Sequence, residues 1–435
     1  MAELGQIFSF GLLMISSWLA GSAVEKSGCP GLVGELLAGA LLGPQTLGLI
    51  SGTLSANLML LGDGALMLLV CEGGISMDMQ VLKQNGWRAF VLAFQGTMLP
   101  VFFGWGTMLA CGFNNLESIC SGIALSSTAI GFTIKLLQAQ NLMTTVKGQV
   151  ITAASMIDDV LSLVLLAMME ELRKNETEQP PGTEQELKGI ASEEGIGLGL
   201  VKPIIASCTI TLGAVVWKYM VEMAWESGIG KRLESEDGKL RKGPCLLLVV
   251  LNLALWAWIA DYTGSTHLLG AFLGGVAFTE IKGMEEMWQS SIGEQMLPWM
   301  VTFFFTCSVG FVIPLGELVK FKLAGYGLVL TLAAILGKFC SGAWATNFSH
   351  PAFMVLFTQV GTAMVGRGEL GFVLARSSLE DKMMGEEAFS VTVWALVLAT
   401  ILGPFMFRAS LKLKEPEGCE DAYGGGKVET EMPAA

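Results

Sequence analysis

Two adjacent aspartates, Asp158 and Asp159, lie in the middle of VITAASMIDDVLSLVLLAM, a stretch otherwise apolar enough to cross a bilayer. An ionised carboxylate at the centre of a membrane helix costs roughly 2.5–3.5 kcal/mol on insertion scales, and a like charge beside it adds repulsion. A serine or asparagine would supply hydrogen bonds inside a helix bundle at lower cost, so a purely structural role explains the pair poorly. The chemistry such a pair offers is the reversible holding of a proton or a cation. On a helix, Gln149, Thr152, Ser155, Asp159 and Ser162 follow one another at intervals of 3, 3, 4 and 3 and share one face. Asp158 points about 100° away from that stripe, so the two carboxylates meet different surroundings.

Three other groups can act with the pair. Ser126, Ser127 and Thr128 fall near the centre of ICSGIALSSTAIGFTIKLL (119–137), between Gly122 and Gly131. Small hydroxyl residues there can satisfy backbone groups where a helix breaks; taken alone, ordinary helix packing explains them equally well. VGTAMVGRGELGFVLA (360–375) is an apolar run interrupted by Gly361, Gly366, Gly368 and Gly371 around Arg367 and Glu369. Interrupted segments at corresponding places in two halves of a membrane chain point to a binding site between two broken helices. Lys338 lies inside LVLTLAAILGKFCSGAWATNF (328–348) and needs a partner, for which Asp158 is the candidate. Half-helix ends carry partial charges that Arg367, Glu369 and Lys135 could balance. Glu35 opens a span and could serve only as its cap. For Glu72, a structural role and a place on the ion path both stand.

The elements that position these residues follow from composition. Of 435 residues, 52% are hydrophobic and 15% charged, against about 25% charged in soluble domains. An all-α polytopic membrane protein follows. A requirement of ~20 apolar residues per span gives thirteen helices, near 6–24, 30–50, 57–77, 87–111, 117–138, 146–170, 196–223, 244–262, 266–280, 296–316, 323–345, 352–376 and 388–412. The first lacks a basic leader and a small-residue cleavage site and reads as a retained span. The net charge of −13 comes from acidic loops and argues against a nucleic-acid partner, which calls for a basic stripe. With 9 scattered cysteines and only His267 and His350, buried thiols are expected and a histidine metal centre is not.

An internal repeat is visible. GELLAGALLG (34–43) echoes HLLGAFLGG (267–275), and MLLVCEGGISMDM (67–79) echoes FFFTCSVGFVIPL (303–315). Spans 2 and 3 thus correspond to spans 9 and 10, and by extension spans 1–6 to spans 8–13, with span 7 as linker. One odd helix between six-helix halves turns the second half upside down. Lys83, Arg88, Lys147, Lys231, Arg232, Lys239, Arg241, Lys242, Arg408 and Lys412 collect on one side, which makes that side and the C-terminus cytoplasmic. The sequon at Asn175 then falls on the outer side.

GELLAGALLGP, ALSSTA, the MIDDV helix, LGAFLGG, the FFF…SVG segment and GRGE together resemble the monovalent cation:proton antiporters, in the branch with a double-aspartate motif. The resemblance is collinear over nearly the whole membrane region. It implies the sodium/proton antiporter fold, with two inverted six-helix repeats and crossed discontinuous helices, and a homodimer whose core slides like an elevator against a scaffold. Residues 1–84 and 244–322 would be dimerisation scaffold, 85–172 and 323–413 core, and 196–223 the linker helix. The acidic loop at 173–195, the basic cytoplasmic loop at 224–243 and a disordered cytoplasmic tail at 414–435 complete the chain. By motif position Asp159 would bind the ion, with Asp158, Thr128, Ser127 and Ser155 around it, and Na+ would sit on Asp159 and Asp158. Lys338 would pair with Asp158, while Arg367, Glu369 and Lys135 compensate charge. Potassium-efflux relatives carry Gln-Asp at the pair, so Asp158 favours sodium or lithium, with potassium/proton exchange as the alternative. No soluble domain follows the last span, so regulation through one is not expected, and no cofactor is implied.

A carboxylate that holds either a proton or a dehydrated sodium ion, and permits movement only when occupied, gives exchange without other machinery. If Lys338 also gives up a proton as sodium binds, transport is electrogenic. A cation channel offers no reason for paired interrupted helices in inverted halves. An intramembrane aspartyl protease needs its two acids on different helices, usually in a GxGD motif absent here. A bile-acid-type symporter shares the architecture but not the Asp-Asp helix or GRGE. The expected protein is a transporter in contact with membrane lipid, not an enzyme.

Overall fold

The computed structural model describes residues 2–50, 53–128, 133–134, 137, 140, 142, 145–177, 193–233, 240–344 and 351–413. Lys135, the middle of the acidic loop (178–192), the side chain of Asn175 and the tail (414–435) lie outside the described residues. Helices account for nearly all of what is described: α1 (Ala2–Lys26), α2 (Leu32–Leu42), α3 (Thr53–Ile75), α4 (Met79–Ala110), α5 (Asn115–Ala124), α6 (Val146–Thr177), α7 (Glu193–Ala224), α8 (Lys242–Thr263), α9 (His267–Val276), α10 (Leu297–Phe303), α11 (Phe321–Ser341), α12 (Phe353–Ala363), α13 (Glu369–Glu380) and α14 (Glu386–Ser410). Among the described residues eight helices are long and apolar enough to cross a membrane, or nine if the pair bent by 56° around α10 is one span.

The departures from thirteen uninterrupted spans have local causes. α2 stops at Leu42 because Gly43 is extended before Pro44, a geometry that proline imposes on its predecessor. α5 ends at Ala124 and the backbone at Ser127 and Thr128 is not helical, as the hydroxyl cluster suggested. The twelfth span is two helices, α12 and α13, separated by Met364–Gly368. The tenth gives way after Phe303 to a π-helical turn, Phe304–Val309. α6 and α7 run further into the acidic loop than expected, to Thr177 and from Glu193.

Starts are fixed by side chains. Asp78 accepts from the backbone N–H groups of Gln80 and Val81 to cap α4, and Asn114 with Glu117 forms a capping box on α5. Two sets of helices then pack. α4, α5, α6, α11, α12, α13 and α14 surround one another, and α1, α2, α3, α8, α9 and α10 form a second set, with α7 lying against α6 and α9. Close backbone approach holds the second set. A Cβ on Gly39 of α2 would stand 2.0 Å from the Thr306 carbonyl oxygen, and one on Gly275 of α9 would stand 2.2 Å from that of Cys71 in α3. Only glycine permits either contact.

Among the described residues no cysteine is in a disulfide. Cys71, Cys120, Cys245 and Cys307 are buried as expected, whereas Cys208 is exposed on α7. Large apolar side chains also stand exposed on α1, α7 and α8, including Trp18, Leu212, Tyr219, Met223, Leu251 and Trp258. This is the outer surface of a helix bundle in hydrocarbon, where apolar groups lose nothing by facing out.

Candidate functional site

The first set of helices closes around the aspartates. Asp158 on α6 and Lys338 on α11 are both fully buried, with the ammonium 2.7 Å from Asp158 Oδ1. Lys338 sits in the last turn of α11, not mid-helix as the hydropathy suggested; a cation there also faces the negative end of the helix. The same Oδ1 accepts a second hydrogen bond, 2.6 Å long, from the hydroxyl of Thr97 on α4. Asp158 Oδ2 is buried with no hydrogen-bond partner. Asp159 differs: it is partly exposed while its neighbour is sealed. The helical offset between the two residues thus separates a fully buried residue from a partly exposed one.

The polar stripe of α6 faces the break in the twelfth span. Ser155 is fully buried and its hydroxyl lies 3.5 Å from Met364 Sδ, at the first residue of the break. Across the site, Ser127 and Thr128 are buried at the end of α5, and their hydroxyl oxygens have no hydrogen-bond partner. The two interrupted elements meet directly. A Cβ on Gly371, in the first turn of α13, would come within 2.8 Å of both the Ala124 carbonyl oxygen and Ser127 Oγ. Thr133, beyond the break that follows α5, donates to the Ala363 carbonyl at the end of α12, 3.4 Å away.

Arg367 occupies the break itself, fully buried. Its guanidinium donates to the Ser127 carbonyl at 3.3 Å and to the Ala334 carbonyl of α11 at 2.7 Å. It therefore places positive charge on a carbonyl at the end of one half-helix, where the helix dipole is negative. Glu369, partly exposed, is the first residue of α13 and puts negative charge at a positive end. The oxygens of Asp158, Asp159, Ser127, Thr128 and Ser155 are the donor type that hard cations take.

Other acids find ordinary partners. Glu35 accepts from Thr302 at 2.8 Å and Glu72 accepts from Gln289 at 2.7 Å. Two relationships escape the sequence reading. Thr97 is one of two threonines in a largely apolar helix, and its nearest signal is Pro100, one turn on. Arg376 of α13 grips Asp63 of α3 through both carboxylate oxygens and so joins the two helix sets.

Long apolar helices, two interrupted elements in contact and an ion pair sealed between them define a multi-pass integral membrane protein of the ion-transporter type. The family description "Sodium/hydrogen exchanger, transmembrane" matches residues 11–413. The chain is 25% identical over 403 residues to a Na(+)/H(+) antiporter of Enterococcus hirae, covering 91% of this chain and 96% of that one. It is 24% identical over 416 residues to the Na(+)/H(+)-K(+) antiporter GerN of Bacillus cereus, covering 94% and 97%. In fold it is similar to the sodium proton antiporter MjNhaP1 of Methanocaldococcus jannaschii, with a TM-score of 0.63 and 16% identity over 95% of this chain and 99% of that one. The chain belongs to the sodium/hydrogen exchanger family. That membership makes it a transporter and not a catalyst.

Proposed function

We propose that this chain exchanges sodium for protons by alternating access, with Asp159 as the carboxylate that the two ions share in turn. The observation that carries the reading is the contrast within the pair: Asp158 is fully buried and paired with Lys338, while Asp159 beside it is partly exposed and feels the charge of Glu369 at the start of α13. Three carboxylates (Asp158, Asp159 and Glu369) and two cations (Lys338 and Arg367) meet here. Fully ionised, that set carries one net negative charge, which one monovalent cation or one proton cancels. Ser127, Thr128 and Ser155 add neutral oxygens, and Arg367 and Glu369 steady the half-helix ends. Charge compensation by Lys135 is part of the same reading.

Lithium would use the sodium site. Potassium is the alternative cargo, since GerN carries it in its name alongside sodium. If Lys338 releases a proton when sodium displaces its partner, the cycle moves net charge and is electrogenic.

In this reading spans 4–6 and 11–13 form the core that moves, spans 1–3 and 8–10 the scaffold of a homodimer, and the C-terminus is cytoplasmic. The echo of GELLAGALLG (34–43) in HLLGAFLGG (267–275) supports inverted repeats. The exposed apolar faces of α1, α7 and α8 suit lipid or a second subunit.

The test is dissipation of a pH gradient in proteoliposomes by sodium, lithium and potassium, with the membrane potential clamped. Asp159→Asn should abolish the sodium response. Sodium-dependent proton flux retained in that variant would remove Asp159 from the role.

A further inference from the structure

Thr97 does something in this site that its packing does not require. It is fully buried on α4, one helical turn before Pro100, where α4 meets both α6 and α11. Its hydroxyl has one proton and two acceptors within reach, the Ala93 carbonyl at 2.9 Å and Asp158 Oδ1 at 2.6 Å. A threonine in a helix needs only the first. The shorter distance falls in the range of about 2.5–2.7 Å for a hydroxyl donating to an ionised carboxylate, so the proton lies toward Asp158. Lys338 bonds to that same Oδ1, and Oδ2 keeps no partner. Two helices thus hold the carboxylate by one oxygen and leave the other bare.

We propose that Thr97 is a positioning residue for cation binding: its hydroxyl holds Asp158 Oδ1 so that Oδ2 keeps its aim whether or not Lys338 is engaged. The inference rests on the reading of the aspartate pair as the cation site and deepens it. Lys338 and Thr97 come from different helices, so motion of α11 can withdraw the ammonium while α4 and α6 keep the carboxylate in place. A carboxylate released by its only partner would rotate about its side-chain torsions and present no fixed oxygen. With Thr97 attached, one oxygen stays anchored and the other stays directed. Thr97 touches no transported ion and acts through Asp158.

The experiment is sodium-driven exchange in proteoliposomes across a range of sodium concentrations, for wild type, T97V, T97S and T97C. Valine keeps the shape and removes the hydroxyl, serine keeps the hydroxyl, and cysteine offers a weak donor. A hydrogen bond to a charged group is worth about tenfold or more in an equilibrium constant. T97V should raise the apparent KM for sodium by that factor with its maximal rate close to wild type, T97S should restore the wild-type KM, and T97C should fall between. A wild-type KM in T97V or T97C overturns the proposal. So does a loss of maximal rate at unchanged KM, or a failure of T97S to recover, either of which marks a packing role. Should T97V not fold, T97C and T97S decide by the same criteria. Wild-type exchange with T97V unchanged defeats Thr97 alone, whereas no sodium-driven exchange by wild type defeats the reading of the site.

Discussion

Lys338 Nζ stands 2.7 Å from Asp158 Oδ1 with both side chains closed to solvent. Removing one partner of such a pair leaves an uncompensated buried charge and costs about 3–5 kcal/mol, whereas replacing both by neutral groups of similar size is close to neutral. Lys338→Ala should therefore lower thermal stability steeply. The double variant D158N/K338Q should recover most of the loss. Melting curves of the purified variants check this, and a double variant that loses as much as D158N and K338Q lose separately, added together, would show that the two groups are not coupled.

Arg376 joins Asp63 across the two helix sets, with Nη2 3.3 Å from Oδ2 and Nη1 on Oδ1. If α13 slides past α3 during exchange, this contact has to open in each cycle. A disulfide tolerates Cα separations of about 7 Å at most, and a shift of one helical turn is about 5.4 Å. In a background without the native cysteines, oxidised D63C/R376C should stop exchange and a reductant should restore it. Full-rate exchange by the cross-linked protein would exclude relative motion at this level.

Glu280, in the turn that follows α9, is held below its ordinary value of 4.5 by the hydrogen bond from Lys218, with burial opposing and the charges of Lys218 and Lys83 assisting. A carboxyl lowered on folding contributes stability above its unfolded value and loses it as pH falls through the folded one. Glu280→Gln should thus be less stable than wild type near neutrality, and the gap should close as the pH drops below about 4.5. Its side chain is 41% exposed, so solvent screening limits the gap to about 1 kcal/mol or less. Melting temperatures of both proteins from pH 7 downward test the sign, and a gap that widens on acidification would refute it.

What the sequence makes legible here is what membranes penalise. An acid pair, a lysine and a glycine-broken arginine stand out because hydrocarbon makes each of them costly. That Asp158 and Asp159 point in different directions follows from helical geometry alone. Arg367 lay in view as a charge, yet its bonds to Ser127 and Ala334 depend on which half-helix end crosses the break. Thr97 was invisible because a threonine in an apolar helix can satisfy itself against its own backbone and leaves no pattern. Asp63 and Arg376 lie 313 residues apart and meet only through the packing of the two helix sets. The ends of α2 and α9 were overrun because hydropathy carries on past a turn that Pro44, or the backbone after Val276, enforces.

The central claim is that sodium and protons compete for Asp159, and proton release on sodium binding measures it without any membrane. Sodium chloride added to the purified protein in weak buffer should acidify the solution in proportion to the sodium bound, with choline chloride as the control and D159N releasing no protons. Sodium binding to the wild-type protein without proton release would contradict the account.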